Sequence, residues 1–442
     1  MDIEDLFIKD KIDLLNRENH LIDDIPGQKF IVISEFTLQS GVILKDVPVA
    51  YMTWGELNEE KSNVILVCHI FSSSADVSDW WGPLLGAGRA LDSSKFFIIC
   101  FNVLGSPYGT ASPLTVNLET GEPYGPDFPI TTIRDDVYLH RKVLDLLKIN
   151  TIALVVGGSL GGMHALEWAM LGSNTVRNII SISSSGRHSA WGISCGEVQR
   201  QIIYLDHRYN GGHYAKDCSP EVGLCVARMS AFLTYRSHDS FVSKFGRRSN
   251  SVCGTKSRIS FELTSRDGFQ SCNYSSEDGY DSDSTLDTFI IGKKDILASI
   301  GYHSGVAIGS SRKIDGSGSM VFSAQSYLRH QGEKFAKNFD ANCYICISKK
   351  MDTHDIAHLR NSSHEKCLNS IEQPTMIVGI ESDALFTICE QEELATHIPN
   401  ASFYKIDSYD GHSGFLIEFD QLNLMIGEFI KNNLSEFTST TN

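Results

Sequence analysis

Apolar positions along the chain follow two rhythms, and where each rhythm occurs predicts the architecture. Residues 1–28 are mixed and charged, which predicts a loosely attached helical arm. From Lys29 β-branched and aromatic runs take over at 30–33, 36–38, 42–44 and 49–54, with Gly41 between two of them, as suits hairpins. Two unbroken apolar runs follow, 63–69 and 96–102, each ending in polar or turn-forming residues. Residues 133–147 carry Val137, Leu139, Val143, Leu144 and Leu147 on a mostly apolar helical face. Further strand-like runs lie at 153–156 and 177–182. Continuous apolar strands alternating with helices predict a mainly parallel sheet covered on both faces, made mixed by the hairpins at the front.

The alternation stops near residue 187. Helical patterns over 192–206, 221–235 and 322–338 mark 187–360 as an inserted, largely helical lid. Within it, 247–320 is rich in Ser, Gly and Asp and predicts a disordered loop, with 289–300 as a short ordered piece. The sheet resumes at 374–380 and 401–406, and a final helix covers 415–433. The domain plan is therefore an arm (1–28), a core in two parts (29–186 and 361–434), the lid between them, and a frayed tail (435–442).

One stretch carries chemistry. Gly157-Gly158-Ser159-Leu160-Gly161-Gly162 ends an apolar strand and opens a helix, and Gly157-x-Ser159-x-Gly161 fits a nucleophile elbow. A glycine-rich phosphate loop and a plain turn between strand and helix are the alternatives; for the phosphate loop, neither Gly-x-Gly-x-x-Gly nor Gly-Lys-Ser/Thr is present. A serine nucleophile needs a base and a group to orient that base. Asp383 follows the strand at 374–380, and His412 follows the last strand, giving the chain order serine, acid, histidine. Glu381 and Asp410 stand as alternative acids, and Asp383 and His412 could instead be helix caps. The oxyanion donors would be the backbone N–H groups of Leu160 and Phe71, worth about 3 kcal/mol each in a transition state.

Composition narrows the setting. The 442 residues carry a net charge of −16, which argues against nucleic-acid or anionic-membrane partners, though a local basic patch could hold a phosphorylated cofactor. No apolar run approaches the ~20 residues of a membrane span, and the start lacks a leader's basic or Arg-rich character, so a cytoplasmic protein is expected. The 11 cysteines are odd in number and scattered, as buried reduced thiols would be. Cys343 and Cys346 form a single Cys-x-x-Cys with no second pair, and no metal site is expected.

Several stretches resemble the homoserine O-acetyltransferases, in particular their fungal members. They include Ala75-Asp76-Val77-Ser78-Asp79-Trp80-Trp81-Gly82-Pro83, Asn102-Val103-Leu104-Gly105-Ser106-Pro107-Tyr108-Gly109, the elbow itself, Arg187-His188-Ser189-Ala190-Trp191, Phe339-Asp340-Ala341-Asn342 and Met351-Asp352-Thr353-His354-Asp355. The resemblance spans 28–432 apart from 247–320. It implies an α/β-hydrolase fold with a helical lid and a ping-pong reaction in which Ser159 takes acetyl from acetyl-CoA and passes it to L-homoserine. The product would feed methionine synthesis. It also implies a homodimer and no permanently bound cofactor, acetyl-CoA being a substrate.

The resemblance further implies that Arg228 and Tyr235 hold the substrate carboxylate, and two positions seven residues apart on a helix do share a face. Three positions depart from the family. Ser413 stands where an aspartate usually meets the substrate amine, so it offers an acceptor without counter-charge. The loop His69-Ile70-Phe71-Ser72-Ser73-Ser74 replaces the usual His-Ala-Leu-Thr-Gly, and Leu160 replaces the commoner methionine, a volume-conserving change. The rival expectations are an acyltransferase using succinyl-CoA or L-serine, a serine esterase of the same fold, and an inactive relative acting as a binding protein.

Overall fold

The computed structural model of the protein describes residues 3–250 and 321–438. Its main sheet has eight strands: β1 (Lys29–Thr37), β2 (Ile43–Trp54), β3 (Val64–Cys68), β4 (Phe97–Phe101), β5 (Leu154–Gly158), β6 (Ile179–Ile182), β7 (Thr375–Ile380) and β8 (Ala401–Ile406). Their order across the sheet is β1-β2-β4-β3-β5-β6-β7-β8. The first two neighbour pairs in that order are antiparallel and the other five parallel, so the sheet is mixed but mostly parallel, as expected.

Strands this apolar have no wet face. In β3, Val64, Leu66 and Cys68 join one core cluster, while Ile65 and Val67 join another across the sheet. The first cluster is closed by the helices Ile133–Leu146 and Leu160–Ala169, and the second by Phe419–Asn433. Burial on both faces is why these strands show continuous rather than alternating hydrophobicity.

Between β6 and β7 the chain leaves the sheet. The helices Ala190–Tyr204, Glu221–Tyr235, His238–Phe245, Ser323–Lys337 and Ala341–Asp352 occupy this section. A third apolar cluster joins them to the core: Ile203, Leu224, Phe335, Tyr344 and Met351 pack with Leu160 and Met163 of the elbow helix. The insertion therefore sits over the strand ends where Ser159 lies. The ends of its long internal segment meet, because Ser249–Asn250 pairs with Val321–Phe322. Most of the loop expected at 247–320, including the piece at 289–300, lies outside the described residues.

Several expectations need correction. The arm is helical (Ile3–Leu15) but not loose, since Ile12, Leu15, Leu21 and Ile25 are buried and Asn19 Nδ2 donates to the Pro107 carbonyl at 2.7 Å. The four short runs at 30–54 form only two long strands, joined through Gly41 at φ +87°. The helices at 238–245 and 341–352 had no visible period; the latter is buried around most of its circumference, which erases the polar stripe. The last helix starts at Phe419, because a 3₁₀ turn, Gly411–Leu416, comes first. The tail is helical over Ser435–Thr438, with Phe437 edge-on to Phe96 at 5.6 Å. Among the described residues no helix is long and apolar enough to cross a membrane.

Candidate active site

Ser159 joins β5 to the helix Leu160–Ala169 at φ 55° and ψ −123°, a conformation that costs a non-glycine residue energy and is held by its surroundings. Its N–H donates to the Ile182 carbonyl at 2.9 Å, and its own carbonyl accepts from Ser184 Oγ at 2.8 Å. The flanking glycines are dictated by space. A Cβ on Gly157 would stand 2.3 Å from the Gly161 carbonyl oxygen, and one on Gly161 would stand 2.1 Å from that of Cys68. Neither backbone can yield without dismantling the sheet.

The sheet edge brings the expected acid and base to this serine. His412 Nε2 lies 2.9 Å from Ser159 Oγ, and its Nδ1 lies 2.7 Å from Asp383 Oδ2. Asp383 Oδ1 accepts from the backbone N–H groups of Leu385 and Phe386 at 2.8 and 2.9 Å. The carboxylate is thus fixed, and its free oxygen requires a proton on His412 Nδ1. That tautomer leaves Nε2 with a lone pair facing the serine hydroxyl. The imidazole is held between Phe386, stacked at 5.2 Å, and Phe415, edge-on at 5.3 Å.

The alternative acids point elsewhere. Asp410 bonds Arg236 at 3.1 Å and Ser240, and Glu381 pairs with Lys405. Leu160 and Phe71 both flank Ser159, and among the described residues no backbone carbonyl accepts from either N–H. Phe71 lines the cavity beside Ser159, its ring edge-on to Tyr344 at 4.8 Å.

Arg228, Tyr235 and Ser413 open on the same cavity. Arg228 is 1 % exposed, and its guanidinium lies over the rings of Phe335, Phe232 and Tyr235 at 4.5, 4.9 and 5.5 Å. Among the described residues no carboxylate lies within ion-pair distance of it. A buried cation held only by ring faces is under-compensated and suits an anionic ligand. Burial pushes the Tyr235 phenol up. Ser413 Oγ donates to the Tyr235 carbonyl at 3.4 Å.

Some contributors were not among the expected site residues. Met351 and Leu385 wall the cavity from the insertion and from the acid's own loop. His69 Nδ1 donates to the Ile70 carbonyl at 2.7 Å while its Nε2 accepts from the Val103 N–H at 3.2 Å, pinning the loop that carries Phe71. Those two bonds define a neutral ring, and burial lowers its pKa to about 4. The two cysteines of the Cys-x-x-Cys share the helix Ala341–Asp352, where Cys343 is buried and Cys346 packs over Gly105.

Comparison with known proteins bears on the family and the fold. Residues 63–419 match the family model described as the alpha/beta hydrolase fold. The homoserine O-acetyltransferase of Saccharomyces pastorianus is 46% identical over 98% of this chain and 90% of its own. Among solved structures, a homoserine O-acetyltransferase from Bacillus anthracis superposes with a TM-score of 0.71 at 22% identity, covering 91% of this chain and 97% of that one. Esterase E22 superposes with a TM-score of 0.70 at 23% identity, covering 91% and 99%. The two superpositions speak for the fold, and the sequence identity over nearly the whole chain speaks for the family. The chain is a member of the homoserine O-acetyltransferases, built on the α/β-hydrolase fold.

Proposed function

We propose that this protein transfers acetyl from acetyl-CoA to the side-chain hydroxyl of L-homoserine through an acetyl-Ser159 intermediate. The observation that carries the reading is the hydrogen-bonded series Ser159, His412, Asp383 beside the buried Arg228, which has no carboxylate partner among the described residues, in one cavity. His412 Nε2 takes the Ser159 proton as Oγ attacks the thioester carbonyl, and returns it to the departing CoA thiolate. The homoserine hydroxyl then attacks the acetyl-serine by the same route in reverse. Leu160 and Phe71 N–H groups are the oxyanion donors in this scheme, aided by the N-terminus of the helix Leu160–Ala169. Arg228 grips the acceptor carboxylate, with Tyr235 and Ser413 beside it. No resident cofactor is needed.

Water is the competing acceptor, and esterase E22 has this fold. Transfer is favoured by the helices packed over Ser159, because excluding water lets a bound alcohol compete through proximity. The deciding experiment measures CoA release from acetyl-CoA with L-homoserine, L-serine or no acceptor, alongside Ser159→Ala. Release that requires homoserine and disappears in the variant is expected. Release independent of acceptor would indicate a hydrolase, preference for L-serine or succinyl-CoA would indicate a sister acyltransferase, and no labelling of Ser159 by a fluorophosphonate would indicate a binding protein.

The same reading makes the enzyme a cytoplasmic homodimer supplying methionine synthesis. Trp191 and Val198 on one helix of the insertion, and Leu205 capping its C-terminus, recur every seven residues and are 56%, 53% and 83% exposed. Such a stripe suits a second copy. Leu205→Asp with Val198→Asp is expected to convert a dimer to a monomer in light scattering; an unchanged mass would remove this face as the interface.

A further inference from the structure

Among the described residues that line the cavity beside Ser159, one carries a buried positive charge and none is an acid. Its polar lining is Ser72, Ser159, Arg228, Tyr235, His412 and Ser413. The acids around His412 are engaged elsewhere: Asp383 by two backbone N–H groups and His412, Asp410 by Arg236 and Ser240, Glu381 by Lys405. Ser413 spends its proton on the Tyr235 carbonyl, leaving only oxygen lone pairs for a ligand. The Tyr235 ring already faces the Arg228 guanidinium.

A zwitterionic acceptor brings two charges to this wall. Its carboxylate meets Arg228, but its ammonium meets a hydroxyl and, close by, a like charge. An acceptor with the carboxylate and no amine brings only the group that the site pairs. We propose that the enzyme also acetylates straight-chain ω-hydroxycarboxylates that lack the amino group, represented by 4-hydroxybutyrate, which matches homoserine in chain length. This deepens the acetyltransferase reading and rests on it. In the step, the 4-hydroxyl oxygen bonds to the carbonyl carbon of acetyl-Ser159 and its proton passes to His412 Nε2. The bond from that carbon to Ser159 Oγ breaks, Oγ recovers the proton, and 4-acetoxybutyrate leaves.

The test uses the full chain, wild type, Ser413→Asp and Ser413→Ala. Acetyl-CoA is supplied with L-homoserine, 4-hydroxybutyrate or no acceptor; free CoA is quantified by chromatography and the acetyl ester by mass spectrometry. A site built to pair a substrate N–H rejects an analogue lacking it by about 10⁴-fold or more. Here the two acceptors are expected to differ in kcat/KM by less than about 100-fold. Ser413→Asp supplies the missing counter-charge and is expected to shift the ratio towards homoserine by about tenfold. Should Ser413→Asp fail to fold, Ser413→Ala decides. A ratio within about threefold of wild type supports the proposal, whereas a selective loss of homoserine turnover of about 30-fold makes the hydroxyl the amine's partner and overturns it. A wild-type ratio above about 100-fold, with homoserine still acetylated, overturns the proposal and leaves the acetyltransferase standing. Acceptor-independent release, or none, overturns the acetyltransferase reading itself.

Discussion

At Asp383 a single atom exchange tests the whole arrangement. Oδ1 already accepts two backbone N–H groups, so an amide in Asp383→Asn must keep its oxygen there. Its NH₂ then faces His412 Nδ1, which becomes the acceptor, and the ring proton moves to Nε2. A protonated Nε2 cannot take the Ser159 proton. We expect kcat to fall about 10⁴-fold with KM for acetyl-CoA little changed, measured by steady-state CoA release. The glycines allow a graded comparison. Gly161→Ala pushes a methyl into the Cys68 carbonyl, whereas Gly158→Ala first meets the Phe415 ring edge at 2.6 Å, and a side chain can turn. Titration of the reactive serine with a fluorophosphonate should find almost none in the first and a measurable fraction in the second. Equal titration would mean the elbow tolerates bulk. Arg228→Met removes the charge but keeps much of the packing. KM for homoserine is expected to rise about 100-fold, with acceptor-free hydrolysis of acetyl-CoA unchanged.

Between elements, the decisive contact is Lys350. It lies fully buried on the helix Ala341–Asp352, and its Nζ bonds both the Leu104 carbonyl, at 2.7 Å, and Asp136. Asp136 in turn meets His164 Nε2 at 2.9 Å, and His164 Nδ1 reaches the Leu160 carbonyl at 2.8 Å. One chain of polar contacts therefore ties the insertion to the helix that begins at the nucleophile. Burial pushes the Asp136 carboxyl up, but Lys350 and His164 outweigh it and hold its pKa at about 2. Lys350→Met takes the lysine from a buried carboxylate and leaves it only His164 and the Leu104 N–H, which should cost about 3–5 kcal/mol, read from urea unfolding. Lys349→Met, next door and partly exposed, should change stability by less than about 0.5 kcal/mol. In sequence the two lysines are alike, and that marks the limit of reading the chain alone. The elbow was legible because its chemistry is local: strand, turn and helix demand glycines at fixed spacing. Ser159, Asp383 and His412 were legible as a set because each follows a strand of one sheet. The choice of Asp383 over Glu381 or Asp410 was not, since it depends on which oxygen the turn aims at the imidazole. Nor was the helix Ala341–Asp352, whose contacts on nearly every side leave no period to read.

For the molecule as a whole, neutral histidines set a pH limit on stability, three of them fully buried and a fourth, His188, partly so. Burial lowers His69 and His354 to about 4 and His140 to about 3. In the unfolded chain each returns to about 6.5. Below that value the unfolded state binds protons that the folded state refuses, so stability is full above pH 6.5 and declines as pH falls towards 4. At pH 5 each histidine withdraws on the order of 2 kcal/mol, against a total of about 5–15 kcal/mol for a folded protein. Long-range charge acts in the opposite direction. The net charge of −16 shrinks on acidification, which relieves self-repulsion and favours the compact state. The local effect should prevail, because buried rings are desolvated whatever the surface charge, while repulsion between exposed groups is screened by salt. Urea midpoints at pH 7.5, 6 and 5 in 0.15 M salt should therefore fall steadily. His140→Gln separates the two causes. Its amide can still donate to the Asn102 carbonyl that His140 reaches at 3.2 Å, yet it binds no proton. The variant should lose up to about 1.4 kcal/mol per pH unit of the slope between pH 6 and 5. An unchanged slope would mean that the acid sensitivity arises elsewhere than in this buried ring.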